Sequence, residues 1–117
     1  TINKIKKKLL KKLDIIKKQD KIIHGYGAST KGNVLLQYFG VGKKYLDYIA
    51  ERNENKFDLY TPGTNIKIIS ENESRNKKPD YYLVLPWHFK NQILRRESIM
   101  RKKGVKFIFP LPNIKVN

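Results

Sequence analysis

Along the first 20 residues, apolar positions recur at intervals of three and four residues, and lysines fill most positions between them. The apolar positions are Ile2, Ile5, Leu9, Leu13 and Ile16. This spacing predicts an amphipathic helix over residues 1–20 that buries one narrow face, with Thr1 as the residue that caps its start. We expect this face to pack against the body of the same domain or against a preceding domain.

Beyond residue 20, short apolar runs alternate with segments of helical spacing. Five runs are predicted as strands, and they are Lys21–His24, Tyr45–Ala50, Ile66–Ile69, Tyr81–Leu85 and Val105–Phe109. The apolar spacing predicts helices over residues 31–39 and Trp87–Lys103. The polar segment Ser70–Pro79 predicts a mobile loop.

These elements predict a single α/β domain over residues 21–117, preceded by the helix. The strand runs lack strict alternation of apolar and polar positions, which is typical of a mostly parallel sheet with helices on both faces. Right-handed crossovers then give a Rossmann-like, doubly wound sheet of five strands in the order 3-2-1-4-5. In such a sheet, ligands bind at the carboxyl ends of the strands, where the order reverses.

Length and composition narrow the class of protein further. The 117 residues suffice for one core but not for separate cofactor and substrate domains. The chain has no cysteine, which excludes disulfides and thiolate metal sites. No apolar run approaches the roughly 18 residues that span a bilayer, and the first segment lacks the apolar centre of a secretory signal. We therefore expect a cytoplasmic protein without a membrane partner.

The formal net charge of +16 would ordinarily favour a nucleic-acid partner. Residues 1–21 hold nine lysines against two aspartates, so nearly half of the excess lies on the first helix. The remainder is scattered, and the preference for lysine over arginine, together with the many Ile and Asn residues, also fits a compositional bias of the source genome. We therefore expect a solvated face and not a nucleic-acid site.

The segment between the first predicted strand and the next helix is the strongest candidate for chemistry. It reads Gly25-Tyr26-Gly27-Ala28-Ser29-Thr30-Lys31-Gly32-Asn33. Glycine lets the backbone turn tightly and approach a ligand, and the first amides of a helix lack internal partners and present positive charge to an anion. This composition favours an anionic ligand, above all a nucleoside diphosphate.

Two common glycine motifs fit this turn incompletely. A Walker loop requires Ser or Thr after Lys31, and the residue there is glycine, which excludes that motif. A dinucleotide fingerprint matches at Gly25 and Gly27 but not at Thr30, its third position. Glu51 stands where an acid would accept from a ribose hydroxyl, so an NAD-binding domain is an alternative.

The side chains of the turn carry separate predictions. Lys31 is the first choice for a diphosphate contact, because its ammonium lies beside unpaired helix amides. Ser29 and Thr30 either donate to phosphate or cap the helix. Tyr26 either stacks on a base or sugar or packs at the sheet edge, and Asn33 caps or braces the turn.

Other candidates lie outside the turn. Thr61 and Thr64 flank a Pro-Gly pair and either line the same cleft or form a plain turn. His88 follows the fourth strand, across the sheet from Gly25, and either contacts the ligand or simply opens the next helix. His24 lies inside a strand and is expected to be a satisfied core or edge residue.

Four segments stand out together: residues 25–33, Glu51-Arg52-Asn53, residues 60–64 (Tyr-Thr-Pro-Gly-Thr) and residues 80–89 (Asp-Tyr-Tyr-Leu-Val-Leu-Pro-Trp-His-Phe). In this order they resemble the C-terminal domain of the sugar C-methyltransferase family. The resemblance runs over about residues 21–112, and the first helix matches only in character.

The resemblance implies a reaction in which this chain takes part. Members of the family use S-adenosylmethionine to methylate a ring carbon of a deoxyketosugar carried on a nucleoside diphosphate, usually thymidine diphosphate. They combine a zinc-binding N-terminal domain, a central methyl-donor domain and this Rossmann-like C-terminal domain, which helps to form the sugar-nucleotide cleft. The implied partners are the nucleotide sugar and the upstream methyltransferase domain of the same polypeptide.

The residues agree with a domain that binds but does not catalyse. Removal of a proton beside a ketone needs a base, and this chain offers two histidines, no paired carboxylates and no metal-ligand spacing. We expect no catalytic residue and no cofactor on this chain, with S-adenosylmethionine and zinc bound by upstream domains. The alternatives are a basic nucleic-acid-binding module and an NAD-binding domain.

Overall fold

The computed structural model describes residues 2–117 and the side chains of residues 3–117, so the predicted cap Thr1 lies outside the described residues. Its helices and strands are α1 (Ile2–Lys18), β1 (Ile23–Tyr26), α2 (Thr30–Phe39), β2 (Ile49–Glu51), β3 (Ile68–Ser70), α3 (Glu71–Asn76), β4 (Tyr81–Val84), α4 (Lys90–Arg96), α5 (Ser98–Lys102), β5 (Lys106–Phe109) and β6 (Lys115–Val116). Short 3₁₀ turns cover Glu54–Lys56 and Trp87–Phe89.

The strands form one sheet in the order β3-β2-β1-β4-β5-β6. All neighbours are parallel except β5 and β6, which are antiparallel. The predicted α/β class is confirmed, but the prediction of five strands is wrong in number. The sixth strand is only two residues long and follows a proline-rich segment, so no apolar run in the sequence predicts it.

Alternate residues of the strands face two separate cores. On one face, Ile23 and Leu83 pack with the buried stripe of α1, formed by Leu9, Leu13 and Ile16, and with α2. On the other face, the ring of Tyr26 packs among strand residues and Ile93 of α4. Helices therefore cover both faces of the sheet.

Two segments differ from the sequence prediction. The polar stretch expected to be a mobile loop contains α3, whose start is capped by the Ser70 hydroxyl, which accepts from the Glu73 amide at 3.0 Å. The single helix expected over Trp87–Lys103 is a 3₁₀ turn followed by α4 and α5, which are interrupted at Glu97. Ser74 and Glu97 are buried polar residues, so tertiary contacts set the structure of both segments.

The bounds of the first two strands differ from the predicted ones. The first strand was expected over Lys21–His24, but β1 continues to Tyr26 and includes Gly25. Gly25 sits so close to β2 that a Cβ there would lie 2.8 Å from Ile49 Cγ1. The second strand, expected over Tyr45–Ala50, is limited to Ile49–Glu51.

Candidate functional site

A cleft of about 470 Å³ opens at the carboxyl ends of β1 and β2, beside the segment that follows β4. This is the point at which the strand order reverses, because β1 leads to β2 on one side while β4 lies on the other. The cleft is lined by Tyr26, Gly27, Ala28, Ser29, Ala50, Glu51, Arg52, Lys56, Glu71, Pro86, Phe89, Gln92, Ile93 and Arg96. The glycine turn therefore borders a cavity large enough for part of a nucleotide sugar.

The Glu51 carboxylate fixes the beginning of the turn. Its Oε1 accepts from the Ala28 amide at 2.7 Å, and its Oε2 accepts from the amides of Arg52 at 3.0 Å and Asn53 at 2.8 Å. Because a carboxylate already lies at the Ala28 amide, a second anion is electrostatically disfavoured there. The anion position that sequence reasoning assigns to Ala28 is thus filled by the protein itself.

The next amides along the chain are available. Ser29 caps α2, because its hydroxyl accepts from the Gly32 amide at 3.0 Å. Within residues 2–117, the amides of Ser29, Thr30 and Lys31 donate to no acceptor. Three unpaired donors at the start of a ten-residue helix form the positive end of the helix dipole.

Two glycines of the turn serve packing or backbone geometry. A Cβ on Gly32 would lie 2.5 Å from Leu85 Cβ, so this glycine lets α2 approach the strand side of the core. Gly27 has φ of +85°, in the left-handed region that favours glycine, and lies against Pro86. Both glycines therefore shape the turn, and neither has a side chain with which to contact a ligand.

The turn residues divide between two depressions. Tyr26–Ser29 line the cleft, whereas Thr30 and Lys31 line a separate apolar groove of about 350 Å³. The other residues of this groove are Val34, Leu35, Tyr38, Phe39, Trp87 and Leu111. Asn33 is half-buried, and its Oδ1 has no hydrogen-bond partner among residues 2–117.

The three predicted site residues beyond the turn, Thr61, Thr64 and His88, also lie outside the cleft lining. Thr61 Oγ1 accepts from the Ile66 amide at 2.9 Å and is hydrogen-bonded to the Thr64 hydroxyl, so this pair holds its own turn together. His88 is exposed, and its ring lies between those of Trp87 and Phe89. The geometry of this threonine pair matches the plain-turn interpretation that the sequence left open.

A charged cluster beside the cleft was missed by sequence reasoning. At its centre the Glu97 side chain is only 3% exposed, and its Oε2 accepts from the Tyr26 hydroxyl at 2.7 Å. Burial and this hydrogen bond raise the pKa of Tyr26 far above its usual value, so the phenol stays protonated and donates. Arg75, Arg96 and Glu71 complete the cluster.

The sequence carried only a weak signal for this cluster. Arg96 and Glu97 are adjacent in a helical segment, where a charged pair ordinarily indicates a solvated face. Their partners Glu71 and Arg75 lie on α3, which was expected to be a loop. The buried hydrogen bond from Tyr26 to Glu97 spans 71 positions of sequence, so no local pattern reveals it.

His24 belongs to a second polar group that lies in the core. Its Nδ1 is 2.7 Å from Ser74 Oγ, which is also 2.7 Å from the Tyr82 hydroxyl. His24 is 1% exposed and Ser74 is fully buried, so the prediction of a satisfied core histidine is confirmed. Burial is the main reason that the pKa of His24 is lowered from 6.5 to about 4. The charge of Asp47 opposes this shift, whereas the charges of Lys77 and Lys17 add to it.

No three His, Cys, Asp or Glu side chains within residues 2–117 are placed to hold a metal ion. Over the same range, every helix is too short or too polar to traverse a lipid bilayer.

Comparison with known proteins identifies the class of domain. The family model described as "C-methyltransferase C-terminal domain" matches residues 1–112. The C-methyltransferase NovU of Streptomyces niveus is 34% identical over 96 residues, which cover 82% of this chain and 23% of that protein. The chain thus spans about a quarter of the length of this curated relative. The match over residues 1–112 shows that the chain belongs to the family of C-methyltransferase C-terminal domains.

Proposed function

We propose that the chain is the substrate-binding C-terminal domain of an S-adenosylmethionine-dependent enzyme that methylates a deoxyketosugar carried on a nucleoside diphosphate. The observation that carries this proposal is the row of three unpaired amides at Ser29, Thr30 and Lys31, of which Ser29 lines the cleft at the carboxyl ends of β1 and β2. Such a helix start is suited to a phosphate group. The diphosphate binds there, and the sugar extends into the cleft.

Positive charge near the cleft supports the same arrangement. Arg52 is exposed and lines the cleft, as does Lys56, whose Nζ donates to the Ala28 carbonyl at 2.8 Å. Lys31 lies in the first turn of α2 and adds a third cation, on the side of the separate apolar groove. The carboxylate of Glu51 confines the diphosphate to the amides after Ala28.

The methyl donor and the zinc ion belong, in this proposal, to the upstream domains. There S-adenosylmethionine would supply the methyl group, and a side chain of those domains would be the base that removes the proton from the acceptor carbon. Zinc does not fit this chain, which has no cysteine and, in residues 2–117, no cluster of three ligand side chains. The chain's own part is to hold the nucleotide sugar for the upstream domain in the cytoplasm.

The NAD-binding alternative is disfavoured by Glu51. A dinucleotide site would use this acid to accept from a ribose hydroxyl, but both of its oxygens already accept from backbone amides. The nucleic-acid alternative relies on the lysines of α1, and its binding would weaken steeply with salt. Competition among thymidine diphosphate, NAD and duplex DNA at physiological salt separates the three functions.

We predict that Lys31→Ala weakens the binding of thymidine diphosphate by about 1–3 kcal/mol, because it removes a charged donor beside the unpaired amides. Lys31 is exposed, so the free energy of unfolding should change little. Isothermal titration calorimetry of the wild type and the variant measures the difference.

Lys102→Ala is the matched control, since this lysine is also exposed and lies in α5. It should bind thymidine diphosphate as the wild type does. Equal losses in the two variants would indicate a general effect of charge and would contradict a specific site at Lys31.

A further inference from the structure

Two arginines share the same pair of carboxylates beside the cleft. Arg75 Nη2 lies 3.3 Å from Glu97 Oε1 and 3.7 Å from Glu71 Oε1. Arg96 contacts the other oxygen of each acid, since its Nη2 is hydrogen-bonded to Glu71 Oε2 and its Nε lies 3.6 Å from Glu97 Oε2. Their side chains are equally exposed, at 33% and 35%. As ion-pairing groups, the two arginines are therefore nearly equivalent.

They differ in what the rest of the guanidinium faces. Arg96 lines the cleft, and its guanidinium carbon lies 5.7 Å from the centre of the Tyr26 ring. Arg75 is not among the cleft residues, and its remaining contact is with Asn72 on its own helix. The Arg96 guanidinium thus contacts two carboxylates and lies over the ring of Tyr26. Within residues 2–117, its Nη1 has no hydrogen-bond acceptor.

The charge balance indicates which ligand atoms suit Arg96. Two arginines and two glutamates make the cluster itself neutral, so the acids that hold the Arg96 guanidinium balance its charge. Glu71 also lines the cleft, and its carboxylate beside the Arg96 guanidinium disfavours a phosphate at that position. Donors and acceptors held together in this way suit uncharged hydroxyl and keto oxygens.

We infer that Arg96 is a substrate-binding residue that donates to an oxygen of the sugar, and that Glu71 and Glu97 position its guanidinium for this contact. The inference rests on the proposed function and extends it, because it assigns the interior of the cleft to the sugar and the start of α2 to the diphosphate. Arginine suits this task because its planar fork keeps free N–H groups after two sides are occupied.

The test compares two ligands on each variant. Calorimetry measures the dissociation constants of thymidine diphosphate and of a thymidine diphosphate-linked deoxyketohexose. The first constant divided by the second gives the factor by which the sugar increases affinity. Arg96→Gln should reduce this ratio at least about tenfold and leave thymidine diphosphate binding within about twofold, because it removes a charged hydrogen-bond donor to the sugar. Arg96→Lys should also lower this ratio strongly, because lysine keeps the positive charge but lacks the planar guanidinium with its several N–H donors.

Arg75→Gln is the matched control, because it removes ion pairs with the same two carboxylates at a residue that does not itself line the cleft. It should lower the melting temperature about as much as Arg96→Gln and retain the wild-type ratio. A normal ratio in Arg96→Gln, or an equal loss in Arg75→Gln, overturns the role of Arg96 and leaves the diphosphate site intact. If the wild type binds neither ligand, the proposed function fails, and the assignment of Arg96 fails with it.

Discussion

Gly32→Val should destabilise the fold by at least about 3 kcal/mol, the upper range for overpacking of a core. A Cβ at this position would lie 2.5 Å from Leu85 Cβ and 3.0 Å from the Ser29 hydroxyl. Leu85 is fully buried, so it cannot move aside, and α2 has to shift away from the sheet. The shift also breaks the cap between Ser29 and the Gly32 amide, which is worth about 1 kcal/mol. Urea unfolding followed by circular dichroism measures the loss.

Gly42→Ala provides the control for a glycine without such a contact. The nearest atom to a Cβ there is the Thr64 carbonyl oxygen, at 3.9 Å, which is ordinary contact. This variant should change the free energy of unfolding by less than about 0.5 kcal/mol. An unchanged urea midpoint for Gly32→Val would show that the close approach of α2 to the core is wrong.

The contact between Gly32 and Leu85 illustrates which features of the glycine turn were predictable from its sequence and which were not. Its composition predicted a strand-to-helix turn at the switch point, and the structure has that turn beside a cleft. The separate roles of its residues depend on neighbours distant in sequence. Gly32 is small because of Leu85, and the Ala28 amide is closed by Glu51. Neither partner could be assigned from the turn alone.

The fold was predictable where a continuous apolar run or a periodic stripe marks an element. The stripe of α1 and the run that forms β4 are of this kind, and both are buried as expected. α3 was missed because its sequence is almost wholly polar. Its single buried side chain, Ser74, is held by hydrogen bonds to His24 and Tyr82, which a local pattern does not contain.

The break between α4 and α5 has a related cause. Apolar spacing continues through this segment, so a single helix was the natural prediction. Glu97 interrupts it with φ of −99° and ψ of 23°, and its carboxylate is buried against the Tyr26 hydroxyl. A buried acid needs such partners. The cluster that supports Arg96 and the break in the helix are therefore two results of the same tertiary contacts.

Acidification should remove about 3 kcal/mol of stability through His24 alone as the pH falls from about 6.5 to 4, at 1.36 kcal/mol per pKa unit. The pKa of His24 is lowered from 6.5 to about 4, chiefly because burial disfavours the imidazolium. Between these values the unfolded chain binds a proton that the native chain does not, so stability rises with pH across this window. Above pH 6.5 the contribution is fully present, and below pH 4 it has been lost.

Urea unfolding at half-unit steps of pH measures this loss, and His24→Gln separates it from the titration of carboxylates. The variant should be less stable than the wild type at pH 7, because Ser74 loses its imidazole partner, and should show a shallower loss between pH 6.5 and 4. His88→Gln removes an exposed imidazole and should retain the wild-type slope. Identical slopes for wild type and His24→Gln would contradict a neutral buried histidine, as would an imidazole proton resonance of His24 that titrates near pH 6.5.

Because Ser74 joins His24 to Tyr82, this slope also reports whether α3 is docked on the sheet. That helix carries Glu71, which contacts Arg96, so its docking is a precondition for the geometry around Arg96.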